Sequence, residues 1–395
     1  MNTTQTTDVY PQFKIFLTEV ENSHFCITAV VTDADADPLR TAETIYERIA
    51  EIIASTGAKI IHERIFGNTP IYKNIFAIRN QKIQQHIPED PGLVTYIEGE
   101  SCYRNPFAGV QLRLFRPSHP DETVKTIWEG NIPRGRLWNR NGALFLQLQN
   151  LGPDHFSNGK NRQQQAETMF RKAETLLKSQ GISYRNVVRT WIYVDHILDW
   201  YHEFNKARNA CYADFGLLRN GKLEHAEEIF LPASTGIAGK NPQGFSAIMD
   251  LLAVNKMSNP DIQIYPLSGT RQRSPYRYGS AFSRAMCVVD SKEKWIFVSG
   301  TASINEQGES VYPGDLASQV KHTLEVVHSL VQSEGVAISD LCEATVFLKR
   351  KEDFPLYLKT AEALGISNIP AVCLIADVCR DELLFELDGI FVKSR

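Results

Sequence analysis

Residues 294–304 read KWIFVSGTASI, and residues 142–152 read GALFLQLQNLG. Both stretches are rich in β-branched and aromatic residues, which favours a half-buried strand in each. They begin about 150 residues apart, and the sequences that follow them match element by element. The chain from about residue 125 onward therefore contains the same structural unit twice.

An amphipathic helix is predicted after each of these strands. Apolar residues recur there at spacings of three and four, which places one apolar stripe along each helix. The two stripes are formed by Ala166, Met169, Phe170, Ala173, Leu176 and Leu177, and by Leu316, Val320, Leu324, Val327, Leu330 and Val331. Both helices stop at a glycine, Gly181 or Gly335, where we expect a left-handed C-terminal cap.

A second strand and a closing pair of strands complete each unit. The strand VVRTWIYV at 187–194 corresponds to LCEATVFL at 341–348. After a second helical stretch, the segments LPAST and IPAVC lead into closing strands that end as AIMDLLAV and FELDGIFV. The spacing from the Pro-Ala pair to the end of the last strand is the same in both copies. Strand, helix, strand, helix and two strands form a small α+β unit.

Residues before about 125 keep only traces of this order, and we interpret them as a degenerate third copy. The traces are the apolar stretch HFCITAVV, the helix TAETIYERIAEIIASTG ending at Gly57, and late strands in VTYIEGE and AGVQLRLF. Polar, turn-rich segments at 116–125 and 255–275 mark the boundaries. We therefore predict three domains, at 1–125, 126–260 and 261–395.

The composition argues against several classes of function. A formal net charge of −4 and a pI near 6.2 give no electrostatic reason to expect a nucleic-acid partner. The N-terminal sequence has no signal-peptide pattern, and no run of about 18 apolar residues occurs. We therefore expect a cytoplasmic protein without a membrane segment. Scattered cysteines without a C-x-x-C pair, and histidines without ligand spacing, predict neither a disulfide framework nor a metal site.

The last unit carries motifs that resemble the RidA (YjgF) superfamily. These are Val298-Ser299-Gly300 at the end of a strand, Asp315 and Gln319 at a helix start, Gly335, Thr345-Val346-Phe347 and Pro370-Ala371. RidA proteins are homotrimers with ligand sites between subunits. The resemblance thus implies an α+β fold of three RidA-like repeats that form a pseudotrimer in one chain. Because a pseudotrimer closes on itself, we expect a monomer.

The three-repeat arrangement resembles the chorismatases in particular. W-x-Y at 191–193, W-Y-x-E-F-N-x-x-R at 200–208 and F-S-R-A before F-V-S-G-T-A-S carry this resemblance, which spans nearly the whole chain. Chorismatases split chorismate into pyruvate and either a dihydroxycyclohexadiene acid or a hydroxybenzoate. The resemblance implies chorismate as the substrate and no cofactor.

RidA deaminases hold the substrate carboxylate with an arginine directly after the Pro-Ala pair, and they position a water with a glutamate on the last strand. This chain has Ser234 and Val372 at the arginine positions. Losing a bidentate carboxylate clamp argues against enamine or imine deamination. The glutamate position holds Ile248 in the middle repeat and Glu386 in the last, so an acid remains in one of these two copies.

Cofactor-free cleavage of chorismate requires a proton at the terminal methylene of the enol ether. A carboxylic acid that stays protonated near neutral pH can deliver it, provided that its site is buried and mostly apolar. Apolar neighbours surround Glu386 in the sequence, and we predict that Glu386 is the general acid. Strand alternation also allows another interpretation, in which Glu386 and Asp388 share a solvated face.

Cys379 lies seven residues before Glu386, and a cysteine there resembles the chorismatase branch that makes 3-hydroxybenzoate. We predict that Cys379 shapes the pocket and directs the reaction toward that product. A buried structural cysteine is the other interpretation.

The substrate-binding residues are predicted on the middle repeat and in the F-S-R-A segment. Asn205 stands where RidA proteins carry a site asparagine, and Arg208 and Tyr212 follow on the same helical face. Arg162 and Arg284 are the candidates to pair with the substrate carboxylates, although any of these arginines can also be structural.

The strand face with Arg189, Trp191 and Tyr193 either lines the site or packs inside the pseudotrimer.

The main functional prediction is a chorismatase that forms 3-hydroxybenzoate and pyruvate. Hydrolysis of the same ether to a trans-dihydroxycyclohexadiene carboxylate is the alternative within the family. A RidA-like deaminase and a non-catalytic small-molecule binder are the alternatives of other classes.

Overall fold

The computed structural model describes residues 3–153, 160–218, 230–257, 259, 261–268 and 280–395. Within these ranges the chain forms three sheets, and two helices pack on one face of each sheet. Each sheet with its helices is called a unit below, numbered first, second and third along the chain.

The first unit begins with three antiparallel strands. Its elements are β1 (Thr3–Val9), β2 (Phe13–Val20), β3 (His24–Val31), α1 (Pro38–Thr56), β4 (Lys59–Gly67), α2 (Tyr72–Gln84), β5 (Thr95–Glu98), β6 (Glu100–Ser101) and β7 (Phe107–Phe115). The elements of the second unit are β8 (Val124–Glu129), β9 (Ile132–Arg140), β10 (Ala143–Leu151), α3 (Arg162–Ser179), β11 (Val187–Val194), α4 (Ile197–Asp214), β12 (Ala233–Ala238) and β13 (Ala247–Asn255).

The third unit repeats the order of the second. Its elements are β14 (Gln263–Leu267), β15 (Ala285–Val289), β16 (Glu293–Ala302), α5 (Leu316–Gln332), β17 (Leu341–Leu348), α6 (Phe354–Ala363), β18 (Ala371–Ile375) and β19 (Phe385–Ser394). The strand orders are β1-β2-β3-β7-β4-β5, β8-β9-β10-β13-β11-β12 and β14-β15-β16-β19-β17-β18-β6. Apart from the added β6, the topology is therefore the same in all three sheets.

The predicted α+β fold of three repeats is confirmed by these sheets. The first unit keeps the complete strand order even though its sequence retains only traces of the repeat. The sequence comparison missed the hairpin strands that precede the first quoted strand of each copy. Among the described residues, no helix combines the length and the apolar character that crossing a membrane requires.

One predicted domain boundary needs correction. The division between 125 and 126 falls inside β8, because this strand already pairs with β9 from Val124 onward. The division at 260 falls on a residue outside the described ranges, after the end of β13 and before the start of β14. In addition, β6 of the first unit pairs with β18, so the third sheet recruits a strand from the first part of the chain.

The glycines that end the helices have the expected backbone conformation. Gly57, Gly181 and Gly335 have φ values of 66°, 70° and 70°. The N–H groups of Ile182 and Val336, directly after two of these glycines, donate to carbonyls of the preceding helical turn at 3.0 and 3.1 Å. The predicted left-handed caps are confirmed.

The faces of the three sheets that carry no helices meet in a shared interior. Trp191 lies there with 1% of its surface exposed. Three guanidinium carbons, from Arg64, Arg113 and Arg189, lie 5.1, 5.3 and 4.8 Å from its ring centroid. The face of β11 with Arg189, Trp191 and Tyr193 thus packs inside the pseudotrimer, and Arg189 extends from it toward the site described next.

Candidate active site

A cavity of about 240 Å³ opens between the second and third units. Helix α4 of the second unit forms one wall, and β16, β19 and neighbouring segments of the third unit form the other. The lining residues are Tyr201, His202, Asn205, Ser280, Phe282, Arg284, Gly300, Ala302, Ile304, Cys379, Arg380 and Glu386. Four of the predicted site residues therefore lie at one cavity: Glu386, Cys379, Asn205 and Arg284.

Glu386 is presented by the central strand of the third sheet. It pairs with Ala302 on β16 and with Phe347 on β17. Alternation along β19 sends its apolar neighbours to the helices of the third unit and sends Glu386 and Asp388 to the opposite face. These two side chains are 4% and 2% exposed, so the solvated-face interpretation is wrong.

Burial and, next, the negative charge of Asp388 raise the pKa of Glu386 to about 8, while Arg284 and Arg189 act in the opposite direction. Desolvation disfavours the charged form of a carboxyl group. Within the described part of the chain, the Glu386 carboxyl has no hydrogen-bond partner and faces the cavity. It is therefore a protonated acid at neutral pH that can donate its proton to a bound molecule.

The backbone at Gly300 leaves the space that this carboxyl occupies. A Cβ atom on Gly300 would overlap Oε1 of Glu386. The ladder between β16 and β19 is irregular at this point, and the N–H of Gly300 donates to Oγ1 of Thr235 in the second unit over 3.1 Å. A bulge at Gly300 thus brings the acid to the interface.

Asp388 makes a dense set of hydrogen bonds beside Glu386. Its Oδ2 accepts from Arg189 Nη2 at 2.8 Å and from Thr235 Oγ1 at 2.7 Å. Its Oδ1 accepts from the N–H of Thr345 at 3.2 Å. Since Arg189 and Thr235 belong to the second unit, Asp388 fastens the strand of the general acid to the neighbouring unit.

Gln319 explains the Asp-x-x-x-Gln motif at the start of α5. The carboxylate of Asp315 caps the helix by accepting from Ser318 N at 3.1 Å. The amide of Gln319, fully buried, donates to Glu382 O at 2.9 Å and accepts from Leu384 N at 2.8 Å. This side chain therefore fixes the segment that leads into Glu386.

The α4 wall combines an amide with a buried cation. Arg208 is 1% exposed and donates to Oδ1 of Asn205 over 2.5 Å. Its guanidinium carbon lies 5.7 Å from the ring centroid of Phe204 and 5.6 Å from that of Phe282. Within the described residues Arg208 has no carboxylate partner, so a positive charge stands behind Asn205 at the cavity wall.

Two further cations and a thiol complete the third-unit wall. Arg284 is 4% exposed, with its guanidinium carbon 5.7 Å from the ring centroid of Phe282. Arg380 lines the cavity and donates to the carbonyl of Gly308 at 2.9 Å. Burial and, next, the charge of Glu386 raise the pKa of Cys379 to about 12, so this residue is a neutral thiol at pH 7.

Two predicted binding residues lie outside the cavity. Tyr212 packs in the core of the second unit, with its ring centroid 5.1 Å from that of Tyr184. Tyr212 lies one turn beyond Arg208 on the same helical face, where that face packs into the core of the second unit. Arg162, at the start of α3, is exposed and lies 3.4 Å from Asp199. The other cavity residues were not predicted as site residues: Tyr201, His202, Ser280, Phe282, Gly300, Ala302, Ile304 and Arg380. The available signal was that several of them adjoin predicted residues in the sequence.

Strand register identifies the equivalents of Glu386 in the other units. Phe347 pairs with Glu386, Tyr193 pairs with Ile248, and in the first unit Phe66 pairs with Gly109. The described interfaces thus have an acid at this position in the third unit alone.

The position assigned to the RidA arginine shifts by one residue in the second unit. Thr235 pairs with Trp191 and Val372 with Thr345, and these partners pair in turn with Asp250 and Asp388. Thr235, rather than Ser234, is therefore the counterpart of Val372, and Thr235 faces the interface of Glu386. Ser234 instead lies 2.8 Å from Thr190, Oγ to Oγ1. The absence of an arginine holds for either assignment.

Comparisons with known proteins agree with this architecture. The family model described as Endoribonuclease L-PSP matches residues 277–388. A 3-hydroxybenzoate synthase of Streptomyces hygroscopicus is 29% identical over 56% of this chain and 66% of its own length. A chorismatase of Streptomyces rapamycinicus is 29% identical over 53% of this chain and 65% of its own length. The aligned regions thus span slightly less than two thirds of these two relatives.

A crystal structure of a chorismatase has the same fold. It matches 93% of this chain and 98% of its own with a TM-score of 0.59, at 16% sequence identity. In sequence and in fold the chain is thus similar to chorismatases, and its last unit is similar to the Endoribonuclease L-PSP family. The cavity that contains Glu386 is the candidate active site.

Proposed function

We propose that the protein cleaves chorismate into 3-hydroxybenzoate and pyruvate, with Glu386 as the general acid. The observation that carries the proposal is a buried, protonated carboxyl at a cavity with arginines in its walls. A chorismatase and a 3-hydroxybenzoate synthase among the relatives support the substrate and the product. We further propose that the chain acts as a cytoplasmic monomer, since its three units already supply both walls of the site.

The first step is proton transfer from Glu386 to the terminal methylene of the enolpyruvyl group. This converts the enol ether into an oxocarbenium ion and makes pyruvate the leaving group at the ring C–O bond. A carboxyl group with a pKa of about 8 retains its proton at pH 7, and a general acid works best when its pKa lies near the operating pH.

The second step is displacement of pyruvate by the neighbouring ring hydroxyl. The displacement breaks the ring C–O bond, and the proton of the attacking hydroxyl restores the Glu386 acid. The resulting epoxide-like intermediate opens to the aromatic 3-hydroxybenzoate as a ring proton is exchanged for one on the phenol oxygen. No water is consumed, because the two products together contain all atoms of chorismate. No cofactor takes part in these steps.

The substrate carries two carboxylates, and the cavity walls contain the positive charges to bind them. Arg284 and Arg380 line the cavity, while Arg208 stands behind Asn205. Charge-assisted hydrogen bonds from guanidinium groups are the strongest and most directional that a carboxylate can accept. We propose that Arg284 binds one carboxylate, and that Asn205, oriented by Arg208, binds the substrate from the opposite wall.

Cys379 supports the assignment of the product. As a neutral thiol it is too weak a base to activate water, and its side chain lines the same cavity as Glu386. A side chain that takes up space beside the acid favours capture by the substrate's own hydroxyl. Hydrolysis to the trans-dihydroxycyclohexadiene carboxylate is the outcome that a water in that position would give.

The test is incubation with chorismate and detection of pyruvate by coupled reduction to lactate. Chromatography of the ring product distinguishes 3-hydroxybenzoate from the dihydroxycyclohexadiene acid. Replacing Glu386 with Gln keeps the shape of the side chain and removes the transferable proton, so turnover should fall by about a hundredfold or more. If the wild-type chain released no pyruvate, the remaining interpretation would be a non-catalytic small-molecule binder. Full turnover by E386Q would exclude Glu386 as the acid.

A further inference from the structure

The same hydrogen-bond arrangement joins neighbouring units at two interfaces. Between the first and second units, Thr95 Oγ1 donates to Asp250 Oδ1 at 2.6 Å, and the N–H of Asn150 donates to both, at 3.0 and 2.8 Å. Between the second and third units, Thr235 Oγ1 donates to Asp388 and accepts from the N–H of Gly300. We call each set of threonine, aspartate and bulge N–H an interunit clasp.

The two clasps occupy equivalent places in the sheets. Asp250 pairs with Trp191, and Asp388 pairs with Thr345, at matching positions of β11 and β17. Asn150 and Gly300 both lie in the irregular step of their ladders. Each clasp also has a basic group at its aspartate: Nε2 of His62 lies 2.9 Å from Asp250, and Arg189 binds Asp388.

The clasps differ in what lies two residues earlier on the aspartate strand. In the second unit this residue is Ile248, which is fully buried, and in the third unit it is Glu386. Of the two clasps, the second therefore has a carboxyl group at this strand position and the first has an apolar side chain. In the second clasp the bulge residue is Gly300, whose missing side chain leaves room for the carboxyl of Glu386.

Several charged and titratable groups face Glu386 from the elements packed around it. Asp388 lies on the same strand, Arg189 on β11, Arg284 just before β15, Cys379 and Arg380 in the segment before β19, and His202 on α4. The arginines favour the ionised carboxylate. Asp388 supplies the opposing negative charge, and its hydrogen bonds with Arg189 and Thr235 fix its position.

We propose that Asp388 is a positioning residue for Glu386, which through Thr235 fixes the bulge that receives the Glu386 carboxyl. After burial, the negative charge of Asp388 is the next cause that raises the pKa of that carboxyl. The role of Glu386 as general acid rests on the proposed function. The effect of Asp388 on the pKa of Glu386 does not rest on it, because that pKa is a property of the protein without substrate.

The decisive comparison is between Asp388→Asn and Asp250→Asn. Each variant breaks one clasp, so both should lower the unfolding temperature. Only D388N removes a charge from beside Glu386 and leaves Arg189 without its carboxylate. The titration midpoint of Glu386 should therefore fall by about one pH unit or more in D388N, and it should stay at the wild-type value in D250N.

The midpoint is measured by infrared spectroscopy of the carboxyl C=O stretch, with the Glu386 band identified as the one missing from Glu386→Gln. An unchanged midpoint in D388N, or an equal shift in D250N, overturns the proposal. In a chain that releases pyruvate from chorismate, the alkaline limb of the rate profile should move with the midpoint. A chain without that activity would refute the proposed function and would still give the infrared result.

Thr235 provides a second test if D388N does not fold. Thr235→Val removes the hydroxyl of the clasp and keeps every charge, so kcat should fall by about tenfold or more while KM stays within about twofold. Thr235→Ser keeps the hydroxyl and should restore kcat. Wild-type kcat in T235V, or no recovery in T235S, contradicts the positioning role.

Discussion

The Oε1 atom of Glu386 lies in the space into which a side chain at position 300 would project. Replacing Gly300 with Ala therefore forces the carboxyl out of its position while leaving the backbone of β16 able to stay in place. Because a small misplacement of a reacting group lowers turnover strongly, we expect pyruvate release by G300A to fall by about a hundredfold. The measurement is kcat with chorismate, together with the unfolding temperature.

Gly236 on β12 is the matched control. An added methyl group there would meet Tyr201 at 3.9 Å, which is ordinary van der Waals contact. G236A should keep kcat within about twofold of the wild-type value. Wild-type turnover in G300A would show that the carboxyl does not need the space beside the bulge.

The rate of chorismate cleavage should depend on pH through Glu386. Burial raises its pKa to about 8 in the free protein, and the protonated form is the active one. As far as Glu386 determines it, kcat/KM should therefore be independent of pH below about 8 and should fall about tenfold per pH unit above that value. A profile that rises through pH 8 would assign the carboxyl the role of a base.

The repeat comparison could locate Glu386 because it depends on counting along one strand. The interior and the interfaces could not be predicted in that way. Thr235 meets Asp388 across 153 positions of sequence, and no local pattern signals such a pairing. The sequence also matched Ser234 with Val372, whereas the strand register matches Thr235 with Val372. Equal spacing from the Pro-Ala pair does not fix which residue of a strand faces the neighbouring unit.

Helical spacing had a similar limit on α4. Asn205 lines the cavity and Arg208 contacts Asn205, as residues three apart should. Tyr212 was predicted on the same face, but its ring is buried among Phe170, Tyr184 and other core residues. Periodicity shows which residues share a stripe, and the position of the cavity along that stripe depends on the neighbouring unit.

Arg208 should contribute to substrate binding because its charge stands buried behind Asn205. Arg208→Met keeps much of the side-chain volume and removes the charge and the hydrogen bond to Asn205. Charged hydrogen bonds contribute about 1.5–3 kcal/mol, so we expect KM for chorismate to rise by about tenfold or more. Steady-state kinetics of pyruvate release measure this effect.

Arg162 is the control for Arg208, since its side chain is 44% exposed and pairs with Asp199 at the surface. Arg162→Ala should leave KM within about twofold of the wild-type value, because surface ion pairs contribute little. A larger rise of KM in R162A than in R208M would place the carboxylate site at the start of α3.

The two tryptophans Trp191 and Trp128 allow a test of the shared interior. Trp191 is 1% exposed and lies among the guanidinium groups of Arg64, Arg113 and Arg189, whereas Trp128 is 51% exposed on the edge strand β8. Trp191→Ala leaves a cavity and removes the ring from three cations, so the free energy of unfolding should fall by about 3–5 kcal/mol. Trp128→Ala should change it by about 0.5 kcal/mol or less. Urea unfolding followed by circular dichroism measures both, and equal effects of the two substitutions would show that the interior is not what holds the three units together.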